Sequence, residues 1–170
     1  DIASATATLD HAINATWSSS TIVRVATSNF SEPSQGLVSN LPSAGSVFDA
    51  YNLKIEEKTK EISFNSIIKG VFTSEAARHT LLMGVDYNRV ADRGRMLGDF
   101  VGAPADFVTG QFPAFISPTG LYIDGDNKYA VMGATAQVQS SFYNRFHVVA
   151  GARLARDIGS YLDYLEATRR

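Results

Sequence analysis

The stretch R-H-T-L-L-M-G-V-D-Y-N-R-V, Arg78 to Val90, decides the fold class of this chain. Leu81, Met83, Val85 and Tyr87 fall on one parity, and the residues between them are polar or glycine except for a single leucine. Such alternation is typical of a β-strand with one apolar and one polar face. The stretch therefore predicts a strand and raises the question of whether its apolar face contacts a protein core or another apolar medium.

The same period of two recurs along most of the chain, and no convincing amphipathic helix interrupts it. Short turns are predicted at Asn14–Thr16, Ser74–Ala77 and Tyr143–Arg145, and long loops at Ser31–Gly45 and Ala91–Lys128. Connections that alternate in length place tight turns at one end of a meander and long loops at the other. The sequence thus predicts an all-β fold, an antiparallel up-and-down meander of about six strands.

One predicted strand, Val47 to Thr73, changes phase along its length. Its apolar residues lie at odd positions as far as Ile55 and at even positions from Ile62 onward. The change falls on the charged patch Glu56 to Glu61. It indicates a bulge, a tight turn, or a strand that leaves one environment for another.

Length and composition exclude several classes of protein. The chain has 170 residues, a net charge of -2 with both signs scattered, and no cysteine. It therefore shows no electrostatic signature of nucleic-acid binding and has neither a disulfide scaffold nor a thiolate site. No apolar run approaches the roughly 18 residues of a membrane-spanning helix. Both ends read as abrupt, and we expect a trimmed product or a piece of a longer protein.

Four features favour an outer-membrane β-barrel over a soluble sandwich or a lipocalin-like barrel. The connections alternate between short and long, as in barrels with short periplasmic turns and long external loops. The apolar faces lack charged residues over roughly the 9–11 positions that a tilted strand needs to cross a bilayer. The opposite faces are too polar for a core. Aromatic residues also gather near the short turns, as in the girdles of barrels, at Trp17, Phe72, Phe142, Tyr143 and Phe146.

Two segments resemble the TonB-dependent siderophore receptors, the ferric-hydroxamate type in particular. The segment Arg78 to Tyr87 resembles that family's H-T-L-L-x-G-x-D-Y strand. The segment Gly133 to Leu154 is similar to the next hairpin, which reads roughly G-L-Y-x-Q-D-Q, a turn, and then G-x-R-Y-D. The chain departs from the family at Val138, where Asp is usual, and at Leu154-Ala155, where Tyr-Asp is usual.

The resemblance implies a receptor of the bacterial outer membrane that binds and imports ferric siderophores through a barrel of about 22 strands around a plug. Residues 1–170 would then form a partial β-barrel domain, with the plug and the other strands absent. The implied partners are the ferric siderophore, outer-membrane lipid and, through the missing plug, the TonB complex. Two unpaired strand edges would also permit self-association. The alternative is a soluble or surface-exposed all-β ligand-binding module.

The sequence offers no pair of residues suited to nucleophilic catalysis, so we predict that the protein is not an enzyme. Ser66-Ile67-Ile68-Lys69 matches the S-x-x-K string of penicillin-binding proteins, but that chemistry needs a helix to bring lysine beside serine. Here the string lies in a predicted strand, which places Ser66 and Lys69 on opposite faces.

No metal site or protein-bound cofactor is predicted either. The three histidines, His11, His79 and His147, are scattered among strand ends without a carboxylate cluster at ligand spacing. Asp124-Gly125-Asp126-Asn127 resembles a calcium loop at first sight but lacks the further acidic residues of one. We predict a hairpin turn there.

The predicted loop Ala91–Lys128 is the one segment with a plausible binding role, because loops this long in a compact domain are usually functional or mobile. In the receptor interpretation, arginines and aromatic rings at the barrel mouth contact a bulky, partly apolar iron chelate, and the iron stays within the chelate. The alternative is that these side chains only pack the loop onto the rim. The candidate ligand-binding residues are Arg93, Arg95, Phe100, Phe107, Phe112, Phe115 and Tyr122.

Overall fold

The computed structural model describes residues 1–38, 47–143 and 145–165, which form a single antiparallel sheet. Strands that are neighbours in sequence are neighbours in the sheet, so the order is β1-β2-β3-β4-β5-β6. The predicted all-β, up-and-down meander is confirmed. The strands are β1 (Ile2–Ala12), β2 (Trp17–Val38), β3 (Val47–Thr73), β4 (Ala77–Asp106), β5 (Leu121–Phe142) and β6 (Phe146–Asp163).

The predicted short connections all lie at one end of the sheet, which we call the tight-turn end. They comprise residues 13–16, 74–76 and 143–145, of which Asn144 lies outside the described residues. The first turn is closed by the Asn14 side-chain oxygen, which accepts hydrogen bonds from the amides of Thr16 and Trp17, each at 2.9 Å. Asparagine is favoured in turns for this ability to bond nearby backbone.

The strands extend further toward the opposite end, the loop end, than the sequence predicted. β2 continues to Val38, so the predicted loop Ser31–Gly45 is wrong over its first half, and residues 39–45 lie outside the described part. The predicted loop Ala91–Lys128 is wrong at both of its ends, because the connection between β4 and β5 is only residues 107–120. Likewise Asp124–Asn127 is part of β5 and not a hairpin turn.

Long-range pairing explains why these glycine- and proline-containing segments are strands. In β4, Arg93 lies directly opposite Asp126 of β5, and Arg95 lies opposite Glu56 of β3 and Asp124 of β5. Cross-strand pairs of opposite charge stabilise a sheet in a way that local turn preferences do not reveal. The backbone hydrogen bonds and ion pairs of three adjacent strands therefore override the turn preference of the glycines among them.

The phase change in β3 is not a backbone irregularity. From Tyr51 to Thr73 the strand pairs with β4 without a register shift, and the one shift between these strands lies at Asp49/Tyr51. The charged patch Glu56–Glu61 therefore contains neither a bulge nor a turn. Of the three interpretations, the structure excludes the first two, and a strand that leaves one environment for another stays a prediction.

The register divides the side chains of the sheet between two faces. We call face A the side that carries Leu81, Met83, Val85 and Tyr87, and face B the opposite side. Because directly opposite residues in an antiparallel sheet share a face, the register assigns the other strands as well.

Toward the tight-turn end, face A of β3 to β6 carries no Asp, Glu, Lys or Arg. Many of its side chains are exposed, including Met83, Val85 and Leu154, the last by 80% of its area. Each strand keeps this character over about the 9–11 residues that a tilted strand needs to cross a bilayer. We call this surface the apolar band. It consists of the face A residues of Ile62–Phe72, Ala77–Tyr87, Ala130–Phe142 and Phe146–Leu154.

Beyond the apolar band the two faces exchange character. At the loop end, face A carries charges such as Glu56 and Arg95, whereas face B carries apolar side chains such as Leu53, Ile55 and Met96. The exchange accounts for the phase change that the sequence shows in β3.

Burial is concentrated at the loop end. The buried side chains in the described part of the chain are those of Ala50, Asn52, Ala105 and Pro118. The rest of the sheet has both faces accessible, and β1 and β6 form its two edges. In residues 1–38, 47–143 and 145–165, no helix has the length and hydropathy to cross a membrane.

Candidate functional site

The structure distributes the seven predicted ligand-binding residues over different places at the loop end. Two arginines lie on face A in a ladder of ion pairs, and the aromatic residues form two separate ring clusters or stand in the connection 107–120. They do not form one site. The first group is Arg93 and Arg95, the second is Phe100 and Tyr122, the third is Phe107 and Phe112, and Phe115 stands apart in the connection.

The two arginines are already paired with carboxylates. Arg93 Nη2 lies 2.9 Å from Asp124 Oδ1, and Arg93 Nη1 lies 3.8 Å from Asp126 Oδ1. Arg95 lies 3.7 Å from Glu56 Oε2 and 3.8 Å from Asp124 Oδ2. The guanidinium groups therefore link β3, β4 and β5 on face A. A ligand carboxylate or hydroxamate would have to compete with these acids.

Two further contacts extend this ladder. The Lys54 ammonium bonds Glu56 at 2.7 Å, and this hydrogen bond holds the pKa of the Glu56 carboxyl below its usual value. At the other side, the guanidinium of Arg93 lies 4.7 Å from the ring centre of Tyr164. The Tyr164 hydroxyl donates to Asp126 at 2.8 Å, which raises the pKa of the phenol. The ladder thus ties β6 to the strands before it.

The face B cluster is built on Tyr51. Its ring contacts the ring of Phe100 edge-on at a centroid distance of 5.1 Å and that of Tyr122 at 6.2 Å. A hydrogen bond with Tyr122 is the largest cause that raises the pKa of Tyr51 to about 12, so its hydroxyl keeps its proton at neutral pH. Phe100 and Tyr122 remain exposed by 61% and 51%. We call Tyr51, Phe100 and Tyr122 the face B cluster, an accessible aromatic surface with a fixed central ring.

The Tyr51 ring fits because position 98 is glycine. A Cβ at Gly98 would lie within 2.6 Å of Tyr51 Cζ, closer than real Cβ contacts. Gly94, four residues earlier on the same face of β4, has no heavy atom within 4 Å of such a Cβ. The absence of a side chain at Gly98 is therefore required for the position of the Tyr51 ring, whereas Gly94 faces open space.

We expect Gly98→Ala to destabilise the chain by about 1–3 kcal/mol, the usual cost of overpacking a tight contact. Gly94→Ala is the matched control, and it should be neutral or stabilise by about 0.4–1 kcal/mol through the unfolded chain. The measurement is the free energy of unfolding in urea. Equal effects of the two substitutions would show that Tyr51 is not held over Gly98.

The second ring cluster lies at the start of the connection 107–120. Phe107 contacts Phe48 of β3 at 5.3 Å and Phe112 at 5.4 Å, both edge-on. Asp106 and Gln111 pair through two backbone hydrogen bonds of 2.8 and 3.1 Å, which close the turn that holds these rings. Phe115 is exposed by 41%. Phe48, Phe107 and Phe112 thus form a ring cluster that joins the start of the connection to β3.

Residues 113–120, which we call the strap, cross the loop end over β2, β3 and β4. Three side chains that are direct neighbours across these strands hold it on face A. Gln35 Nε2 donates to the Pro113 carbonyl at 3.3 Å, and Asn52 Nδ2 donates to the Ile116 carbonyl at 2.8 Å. Asp99 accepts from the amides of Thr119 and Gly120. These amide hydrogen bonds hold the pKa of the Asp99 carboxyl below its usual value.

Sequence reasoning missed Tyr51 and the three residues that hold the strap, namely Gln35, Asn52 and Asp99. Each lies in a different strand, and only the register brings them into one row. The available signal is weak: Asn52 is a polar residue between the apolar positions 51 and 53. Asn52 is 2% exposed, and its polar amide tolerates this burial because both its oxygen and its nitrogen are hydrogen-bonded.

Over the same residues as the apolar band, face B carries polar and charged side chains. Asp86 of β4 bonds Arg153 of β6 at 2.7 Å and reaches it across β5. The pair passes over Gly133, where a Cβ would lie 2.7 Å from Asp86 Oδ1 and 2.8 Å from Arg153 Nη2. Farther along, Asn88 donates to Glu61 at 3.2 Å. The same strands thus carry an apolar face A on one side of the sheet and a polar face B on the other.

The remaining candidates from the sequence are Ser66, Lys69 and the histidines. Ser66 and Lys69 are both in β3 on opposite faces, and the Ser66 hydroxyl bonds that of Thr21 at 2.9 Å. His79 bonds the Ser140 hydroxyl at 2.8 Å and contacts the Phe142 ring edge-on. Among residues 1–38, 47–143 and 145–165, no group of three or more His, Cys, Asp or Glu could hold a metal ion.

Comparison with known proteins adds no assignment. No protein-family model matches the chain. A search of the curated proteins gave no significant match.

Proposed function

We propose that the chain is a section of the barrel wall of a TonB-dependent outer-membrane receptor that binds and imports ferric siderophores. The observation that carries the proposal is the pair of faces beside the tight-turn end. Face A is free of formal charge over the length of a bilayer-crossing strand, while face B over the same residues carries the Asp86–Arg153 ion pair and side-chain amides such as Asn65 and Gln137. Barrel walls alternate lipid-facing and lumen-facing residues in this way.

The girdle of the proposed barrel is formed by aromatic residues on face A. The Trp17 and Phe72 rings meet edge-on at 5.6 Å, and Phe142 of β5 contacts the ring of His79 in β4, the strand next to Phe72. Aromatic rings of this kind sit where strands meet the headgroups of a membrane. In the proposed orientation the tight-turn end faces the periplasm and the loop end faces outward.

A soluble sandwich also alternates, but it must cover its apolar face. Beside the tight-turn end of the described sheet, face A exposes apolar side chains without formal charge, whereas face B carries the Asp86–Arg153 ion pair. A sandwich would have to bury face A against a second layer, and the described residues form a single sheet. A bilayer against face A with water against face B satisfies both surfaces.

The ligand surface of the proposed receptor is the face B cluster, which lies on the lumen side at the loop end. Two of its members, Phe100 and Tyr122, belong to the predicted binding residues and offer exposed ring area. Arg93 and Arg95 lie on the other face and shape the rim by their ion pairs. The proposal therefore narrows the predicted binding set to the aromatic members on face B. TonB acts through a plug in this scheme, and iron remains in the chelate.

The test is equilibrium dialysis of the chain, folded in nonionic micelles, against an iron-55 hydroxamate complex. We expect saturable retention that Phe100→Ala lowers about tenfold, since a ring in contact contributes its buried area plus about 0.5–1.5 kcal/mol. Phe115→Ala is the matched control and should change retention less than twofold. No saturable retention by the folded chain, or equal losses in both variants, contradicts the proposed ligand surface. Retention by a chain that folds without detergent supports the soluble binding module.

A further inference from the structure

The apolar band ends at a cation on every strand that forms it. Following face A from the tight-turn end, the first charged residue is Lys60 in β3, Arg89 in β4, Lys128 in β5 and Arg156 in β6. Both signs are available to the chain, which has a net charge of -2. Face B has no such bias, because its charges beside the band include Glu61, Asp86 and Asp157. We call the four residues the cation row.

No member of the cation row has an acidic partner among the residues that the structure describes. At the loop end of face A, Glu56, Asp124 and Asp126 are engaged by Lys54, Arg93 and Arg95, and Asp99 accepts from the strap amides. The four side chains of the row are all exposed. Their positive charge is therefore directed at whatever lies against face A at this height.

Three of the cations surround a small residue. Lys60 and Lys128 are the direct neighbours of Ala91 on its two sides, and Arg89 precedes it by one step on the same face of β4. Strand spacing places the Cα atoms of Lys60 and Lys128 about 10 Å apart, and Arg89 about 7 Å from Ala91. The alanine methyl leaves the space between the three side chains open. This arrangement suits an anionic group of phosphate size held by several cations at once.

We propose that the cation row binds the phosphate of an anionic lipid headgroup, an inference that rests on the proposed membrane orientation of face A. A lipid is favoured over a free anion because the cations stand immediately beyond an exposed apolar surface. Acyl chains against the apolar band would hold the headgroup phosphate at the height of Lys60, Arg89, Lys128 and Arg156. Each Lys or Arg near an anionic membrane surface strengthens binding about fivefold.

The experiment measures lipid retention by native mass spectrometry of the full chain in nonionic micelles. The micelles contain equal amounts of phosphatidylglycerol and phosphatidylcholine. We expect the parent to retain phosphatidylglycerol preferentially and K60Q/K128Q to reduce this preference about 25-fold, the product of two fivefold effects. The control R24Q/K69Q removes the same charge from face B and should change the preference less than twofold. K60R/K128R keeps the charge and should keep the preference, which separates binding from a folding defect.

The outcomes distinguish this inference from the proposed function. If the parent enters micelles and retains both lipids equally, or if K60Q/K128Q matches the parent, the lipid site is refuted and the barrel wall is not. If the chain folds without micelles and retains neither lipid, both proposals fail. Displacement of phosphatidylglycerol by millimolar inorganic phosphate would assign the row to a free anion and refute the lipid.

Discussion

Met83→Arg is expected to destabilise the chain in a bilayer by about 2–4 kcal/mol, the cost of a lipid-facing arginine near the membrane midplane of a β-barrel. Met83 is in the middle of the apolar band, between Ile68 and Ala136 on face A, and is exposed by 41%. The substituted guanidinium would lie in hydrocarbon with no carboxylate beside it on face A. Snorkelling is limited because both ends of the band are several residues away.

The measurement is urea unfolding of the chain in phospholipid vesicles, followed by the fluorescence of Trp17, the one tryptophan of the chain. Gln137→Arg is the matched control, because Gln137 is beside Ala136 in β5 but belongs to face B. It should change the free energy of unfolding by less than about 1 kcal/mol, as expected for a residue facing water. A larger loss at Gln137 than at Met83 would mean that lipid contacts face B. Similar small losses at both positions would refute a bilayer on either face.

The part of the fold beside the tight turns could be predicted because the local sequence carries the signal. The alternation at Leu81–Tyr87 reports both strand and face, and Asn14 and Ser74 mark turns that close within three residues. The pairing of neighbouring strands follows from short connections. No long-range knowledge is needed for any of these, and all appear in the structure.

The loop end could not be predicted in the same way, because its strands depend on distant partners. Gly98 reads as a turn signal in isolation, yet it is strand because Tyr51 covers it and because its amide bonds the Gly120 carbonyl at 2.8 Å. Arg95 reads as a free basic residue, but its partners Glu56 and Asp124 are in other strands. The contacts of such residues depend on the strand register, which cannot be read from a single sequence.

The candidate site shows the same division. The aromatic character of the region around Phe100 and Tyr122 was evident from the sequence, whereas the side of the sheet on which each residue lies was not. β4 places Arg95 on face A, and Phe100 contacts Tyr51 on face B. A set of seven residues that looked like one loop therefore divides into the rim ladder, the face B cluster, the ring cluster of Phe107 and Phe112, and the separate Phe115.

The strap and the face B cluster are mechanically linked at β4. Asp99 bonds the strap amides on face A, while its neighbours Gly98 and Phe100 belong to face B. Residues 119–120 lead directly into Leu121 at the start of β5 and then Tyr122. Loosening the strap should therefore disturb the aromatic surface proposed to meet the ligand.

Asn52→Asp is the sharpest test of this link, and we expect it to release the strap at neutral pH. The Asn52 Nδ2 donates to the Ile116 carbonyl at 2.8 Å, and its Oδ1 accepts from Gln35 at 2.8 Å. The aspartate carboxylate has the same shape and can still accept the hydrogen bond from Gln35. Its second oxygen replaces Nδ2 and faces the Ile116 carbonyl oxygen, which it repels. At 2% exposure no water screens that contact. The loss should be about 1–3 kcal/mol or more, the cost of an unsatisfied or charged buried group.

The sign of the pH dependence follows from the protonated form, which alone can donate to the Ile116 carbonyl. Burial and the facing carbonyl raise the folded-state pKa of the substituted carboxyl above the ordinary value of about 3.9. The variant should therefore resemble the parent below about pH 4 and become less stable as the pH rises through the raised pKa, after which the loss stays constant. Release of the strap is measured by hydrogen exchange at the amides of Thr119 and Gly120. The change in the free energy of unfolding is measured by urea unfolding.

Asn29→Asp is the matched control for this substitution. Asn29 is exposed on face A of β2 opposite Lys58, so the same change of charge occurs in water beside a cation. It should alter stability by less than about 0.5 kcal/mol, as for an ordinary surface substitution. Unchanged protection of Thr119 and Gly120 in Asn52→Asp at pH 7 would show that the strap is held without Asn52. Release that accompanies a lower affinity for the ferric hydroxamate would establish that the strap positions the face B cluster for its ligand.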